Sequence, residues 1–117
     1  MTTRETLQAY FSRLQQKTDW HSFLADDMTF TSFASPPKRL SGRAAYLEST
    51  RRFYAMITTM TVKELIVDGE RACALTHYEL QPPGGSAFGS DVAEVFRVKA
   101  GAITSFDIYF DTAPYPK

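Results

Sequence analysis

The chain has 117 residues, 44% of them hydrophobic. That suffices for one domain with one core, taken as residues 1–117, and leaves no room for a second catalytic domain. Thirteen Lys plus Arg balance thirteen Asp plus Glu, which excludes the strong basic footprint of a nucleic-acid binder. No run approaches 18 apolar residues, so no membrane span is expected. The opening Met1-Thr2-Thr3-Arg4-Glu5 lacks the apolar stretch of a secretion signal, and a cytoplasmic location follows as the expectation. The one cysteine, Cys73, lies in an apolar run and reads as a small buried hydrophobe. His21 and His77 stand far apart with no ligand spacing around them, so neither a metal nor a cofactor is expected. Nine Phe, six Tyr and one Trp make up 14% of the chain, more large rings than one small core requires unless some of them line a cavity.

Leu7, Tyr10, Phe11 and Leu14 recur at the spacing of one helical face, and Thr3 is placed to cap that helix. Residues 19–24 read as a short second helix capped by Asp19, burying Trp20, Phe23 and Leu24. Met28 to Phe33 is β-branched and aromatic, which suits a strand. Pro36-Pro37 and Ser41-Gly42 bracket a loop. From Gly42 to Ile57 helical periodicity returns, with Tyr46, Leu47, Thr50, Phe53, Tyr54 and Ile57 on one face. Lys38, Arg39, Arg43, Arg51 and Arg52 make residues 36–55 locally basic and read as a solvated helix face, with an anion or acidic partner as the alternative.

Four strands complete the chain. Thr59–Val67 and Arg71–Gln81 flank the hairpin signal Asp68-Gly69, and Val92–Val98 pairs with Ile103–Phe110 around Gly101. The irregular stretch at 82–90 is placed to cover a pocket mouth. Helices followed by antiparallel hairpins define an α+β fold: a curved, mainly antiparallel sheet with three N-terminal helices on its concave face.

Leu24-Ala25-Asp26-Asp27 entering the first strand, Ser41-Gly42-Arg43 opening a helix, Val67-Asp68-Gly69-Glu70-Arg71, and the ending Gly101-Ala102-Ile103-Thr104 … Tyr109-Phe110-Asp111 together resemble the nuclear transport factor 2-like superfamily. The SnoaL-like and ketosteroid-isomerase-like branch is the most similar, from about Thr3 to Ala113. The resemblance implies a cone-shaped half-barrel with an internal pocket, commonly a homodimer through the sheet. Superfamily members include isomerases, cyclases, epoxide hydrolases and non-catalytic binders, so the fold alone assigns no chemistry.

Carried over residue by residue, the isomerase base falls on Ser32 and the helix tyrosine on Phe11. A hydroxyl cannot abstract a carbon-bound proton near neutral pH unaided, and Phe11 has no proton to give. If the hairpin at Gly101 closes with a bulge, the second oxyanion donor falls on Glu94. The limonene-epoxide hydrolase set is absent, with Ile108 and Tyr78 at two of its charged positions.

Strand alternation puts Phe106, Ile108 and Phe110 on one face of the last strand and Asp107, Tyr109 and Asp111 on the other. A three-residue loop at 99–101 turns Val92, Glu94, Phe96 and Val98 inward, whereas a two-residue loop sends Glu94 outward. His77 and Tyr78 are adjacent, so one of them faces the pocket; comparison with the epoxide hydrolases favours Tyr78, leaving His77 outside near Glu79 or Asp91. The catalytic candidates are Glu94, Tyr78 and His77. Leu7, Tyr10, Phe11, Trp20, Phe30, Ser32, Tyr54, Phe96, Phe106, Ile108 and Phe110 are the expected ligand-binding wall. Two readings stand side by side: a pocket for a small apolar molecule with isomerase- or cyclase-type acid–base chemistry, and a non-catalytic binding or dimerisation module. The outward mixture of Val95, Arg97, Asp107 and Tyr109 fits self-association.

Overall fold

The computed structural model describes residues 1–34 and 36–115; Ser35, Pro116 and Lys117 of the 1–117 span lie outside the described residues. The first helix, α1 (Thr3–Gln16), starts one residue earlier than its periodicity suggests. Its cap is Thr2, whose side chain accepts from the Glu5 amide while the Glu5 carboxylate accepts from the Thr2 amide. This reciprocal pairing satisfies two otherwise orphaned donors. Leu7, Tyr10, Phe11 and Leu14 are all buried beneath it.

The expected second helix is a single 3-10 turn at Trp20–Phe23, so two α-helices cover the sheet rather than three. Asp19 makes no capping bond; its carboxylate pairs with Arg13 at 3.1 Å instead. Trp20 and Phe23 are only partly buried, and Leu24 is the residue that enters the core. Strand β1 (Leu24–Ser32) follows directly. The Pro36–Gly42 stretch is not all loop: Lys38–Ser41 forms β2, antiparallel to the end of β1. Gly42 turns the chain into α2 (Arg43–Met56) at φ +94, a conformation that favours glycine, with its amide on the Met28 carbonyl at 2.7 Å. Arg43 fastens the junction, bonding the Leu24 carbonyl at 3.1 Å and the Asp26 carboxylate at 2.5 Å.

The rest is β3 (Ile57–Asp68), β4 (Arg71–Leu80), β5 (Phe88–Lys99) and β6 (Ala102–Phe110). The six strands make one curved, open sheet in the order β2-β1-β6-β5-β4-β3, antiparallel except where β1 runs parallel to β6. Because β5 begins at Phe88, the irregular segment after β4 is shorter than expected and none of residues 82–87 lines the cavity described below.

The β5–β6 hairpin sets the inward face by a two-residue turn with a bulge, the condition under which the second oxyanion-donor position falls on Glu94. Lys99 pairs with Ala102 across a two-residue turn in which Ala100 (φ 51) and Gly101 (φ 78) are both left-handed. The register then slips between Arg97 and Val98, so that Val98 faces Ile103 while Arg97 faces Ser105. Thr104 is the extra residue. This bulge restores the parity that a two-residue turn alone would break, pairing Glu94 with Ile108 and Phe96 with Phe106 on the inner face. Cys73 corrects another expectation: β4 alternation buries Ala72, Ala74, Thr76 and Tyr78 and leaves Cys73 half-buried on the outer face.

Candidate functional site

The concave side of the sheet and α2 enclose a cavity of about 200 Å³. Its floor comes from β1, β5 and β6 through Phe30, Ser32, Val92, Glu94, Phe106, Ile108 and Phe110. One wall is α2, contributing Tyr46, Ser49, Thr50, Phe53 and Tyr54; Tyr78, Lys38 and Tyr115 complete the lining. Rings dominate because inward strand positions and the buried helix stripe converge here. Phe30, Tyr46 and Phe106 pack with centroids 4.8–5.9 Å apart, in the range of favourable aromatic contacts.

Glu94 is the one carboxylate in this lining, and it is 2% exposed. Its Oε2 accepts from Thr76 Oγ1 at 2.6 Å and from the Tyr78 hydroxyl at 2.9 Å. Among the described residues Oε1 has no hydrogen-bond partner, and Glu94 is one of the residues that line the cavity. Burial pushes the Glu94 pKa up to about 7 against the opposing pull of the Thr76 and Tyr78 hydrogen bonds. The group therefore holds both protonation states near neutrality: neutral, it can donate to an oxygen in the cavity; ionised, it can accept a proton.

Tyrosines surround it. The Tyr46 and Tyr54 hydroxyls bond each other at the α2 wall. Burial holds Tyr46, Tyr54 and Tyr78 well above the ordinary phenol range, keeping them as neutral hydrogen-bonding groups. Tyr10 is fully buried behind them and its hydroxyl is the one sealed polar side-chain atom without a partner among the described residues.

The sequence-predicted residues divide cleanly. Glu94, Tyr78, Phe30, Ser32, Tyr54, Phe106, Ile108 and Phe110 meet in the cavity. Leu7, Tyr10, Phe11 and Phe96 do not: they form the core beneath α1, where Tyr10 and Phe11 each pack against Phe96 at 6.0 and 5.8 Å. Trp20 stacks on the other side of Tyr54 at 4.3 Å and borders a shallow surface depression. His77 lies on the outer sheet face, with Nε2 2.6 Å from Glu79 and Nδ1 2.8 Å from Asp91. Those two carboxylates, Glu79 first, raise its pKa, and its ring cannot reach the cavity. Thr76, Tyr46 and Lys38 were not singled out for the site. Thr76 is legible as the inward residue two before Tyr78, Tyr46 as the helix position facing Tyr54 two turns on; Lys38 was visible only as a member of the basic cluster, because β2 was read as loop.

Residues 6–106 match the SnoaL-like domain family. No curated protein matches the chain in sequence. Among solved structures, a nuclear transport factor 2-like protein from Burkholderia thailandensis superposes with a TM-score of 0.84 at 19% identity, covering 97% of this chain and 94% of that one. A candidate SnoaL-like polyketide cyclase from Mesorhizobium loti gives 0.78 at 20% identity over 93% and 99% of the two chains. A protein of ketosteroid isomerase-like fold from Catenulispora acidiphila, solved with trimethylamine, gives 0.76 at 19% identity over 94% and 88%. These likenesses show the fold.

Proposed function

The chain belongs to the SnoaL-like domain family, and from that premise we propose that its cavity binds a small, mostly apolar molecule through an oxygen that accepts a hydrogen bond from Glu94. The observation that carries this reading is a buried acid, one oxygen held by Thr76 and Tyr78, in the lining of a ring-walled cavity. In its neutral state such an acid stabilises a carbonyl or enolate oxygen without metal or cofactor.

Isomerase- or cyclase-type turnover is the second reading, and the Glu94 pKa of about 7 favours it. A proton can then be exchanged with the ligand in either direction. Against it stands Ser32 at the position of the isomerase base: among the described residues the lining holds no second carboxylate or imidazole, so proton abstraction would fall on Glu94 alone. A fragment library of aryl and alicyclic ketones, read by thermal shift and then by turnover, separates the two. Binding that survives in Glu94→Gln without turnover in either protein supports the binder; turnover abolished by Glu94→Gln supports the enzyme.

We also propose self-association through the outer sheet face, where Ile66, Leu75 and Tyr109 are 51%, 37% and 49% exposed and Tyr109 stacks on Phe33 at 4.6 Å. A single sedimenting species of monomer mass at 50 μM (roughly the upper range for a specific contact of this kind) contradicts it. No described helix is long and apolar enough to cross a membrane; the free Cys73 fits the reducing setting of a cytoplasmic protein.

A further inference from the structure

The cavity lining contains two formally charged residues among those described, and they sit at its opposite ends. The strand registers place Lys38 opposite Ser32, Ser32 beside Ile108, and Ile108 opposite Glu94. One inward row thus crosses four strands from an exposed cation to a buried acid. At about 4.8 Å per strand the two backbones are roughly 14 Å apart along the sheet. Between them lie only a hydroxyl and an apolar side chain.

Lys38 makes no ion pair among the described residues, whereas the neighbouring cations are engaged. Arg39 turns to the other face, bonding Thr31 and covering the Phe33 ring, and Arg43 is held by Asp26. Lys38 is exposed and also lines the cavity, a placement open to a long side chain that covers apolar surface with its stem and keeps its charge hydrated.

We infer that the cavity takes an amphipathic monoanion: a carboxylate at the mouth against Lys38, an apolar ring in the middle, and a hydrogen-bond-accepting oxygen at Glu94. This rests on the reading of the Glu94 cavity as a ligand site and adds the charge and orientation of the ligand. The orientation is fixed by electrostatics. A carboxylate at the deep end would lose its hydration in an apolar surround with no cation to pair it. At the mouth the same charge stays hydrated and gains the Lys38 ammonium. An exposed pair of this kind is worth up to about fivefold in affinity, and salt weakens it.

Calorimetric titration with 4-acetylbenzoate and with its neutral methyl ester tests the inference. The ring and acetyl oxygen are common to both probes. Wild-type protein should bind the acid about fivefold more tightly than the ester at low salt, with the gap narrowing in 0.5 M NaCl, about the ionic strength at which the screening length falls below 5 Å. Lys38→Gln should remove the preference, and Lys38→Glu should reverse it. Lys38 is exposed on a rim strand, and unchanged far-UV circular dichroism checks that both variants fold. Equal binding of acid and ester to wild type, or a preference that persists in Lys38→Gln, overturns the anionic-ligand inference and leaves the Glu94 cavity reading standing. Failure of both probes to bind at millimolar concentration overturns both.

Discussion

Thr76 Oγ1 lies 2.6 Å from Glu94 Oε2 and 3.2 Å from the Val92 carbonyl, with one hydroxyl proton to serve both. When Glu94 is ionised, Thr76 gives that proton to the carboxylate. When Glu94 is neutral with its proton on Oε1, Oε2 remains a carbonyl-type acceptor, and Thr76 can donate to it or turn its hydroxyl to the Val92 carbonyl. The hydroxyl thus satisfies either state without moving a heavy atom, and this is what lets a fully buried acid sit near the middle of its titration.

The cost of burying that acid should be readable as stability. Glu94 rises from an ordinary 4.5 to about 7 on folding, so between those values the native state holds the proton more tightly than the unfolded chain. Stability contributed this way is present below pH 4.5 and is lost as pH rises through 7. Glu94→Gln has no such dependence. Its stability advantage over wild type should therefore grow by about 3 kcal/mol between pH 4.5 and pH 8, measured by urea unfolding. A difference that stays flat across that range would show Glu94 already solvated.

Removing a donor from Glu94 should move it further. Thr76→Val keeps the shape of the side chain and deletes the hydrogen bond that favours the charged form. The Glu94 pKa should climb by about one pH unit, the worth of a bond to a charged group, followed by the carboxyl stretch in isotope-edited infrared spectra. Tyr78→Phe should act in the same direction. A fall in pKa, or none, would mean these hydroxyls do not donate to the carboxylate.

His77 supplies the contrasting case. Its raised pKa comes from Glu79 and Asp91 on the outer face, so its contribution is complete below pH 6.5 and fades as pH rises through the higher native value. Partly exposed pairs of this kind give about 0.5–1 kcal/mol. His77→Ala should cost that amount at pH 6, less at pH 9, and leave ligand affinity unchanged. Gly89→Ala should mimic it, because a Cβ there would stand 2.8 Å from His77 Cε1 and push the ring off its partners. Loss of ligand binding in His77→Ala would place the histidine in the site after all.

Most of the sheet was legible because its strands alternate: the β5 run from Val92 to Val98 buries every second residue, Val92, Glu94, Phe96 and Val98, while the same alternation in β4 put Cys73 on the outer face against expectation. The 3-10 turn at Trp20 was harder, since one turn of helix carries no periodicity. Residues Lys38–Ser41 escaped notice because two prolines precede them and a four-residue edge strand has no pattern of its own. The Glu94 position hung on a hairpin whose two-residue turn and compensating bulge cancel in parity. Ile103 and Phe106 hold the clue: two inward apolar residues three apart cannot both face the core of a regular strand. The wall was over-assigned for a different reason. Burial marks Phe11 and Phe96 as inward, but inward positions near α1 are filled by each other's rings, and the Glu94 cavity opens toward α2.

The direct test of the account is the pH titration of the Glu94 carboxyl carbon by ¹³C NMR in selectively labelled protein. The structure predicts a midpoint near 7, with the signal lost in Glu94→Gln. A midpoint near 4.5 would mean a water-exposed carboxylate, and the cavity would then have no buried acid with which to hold a ligand oxygen.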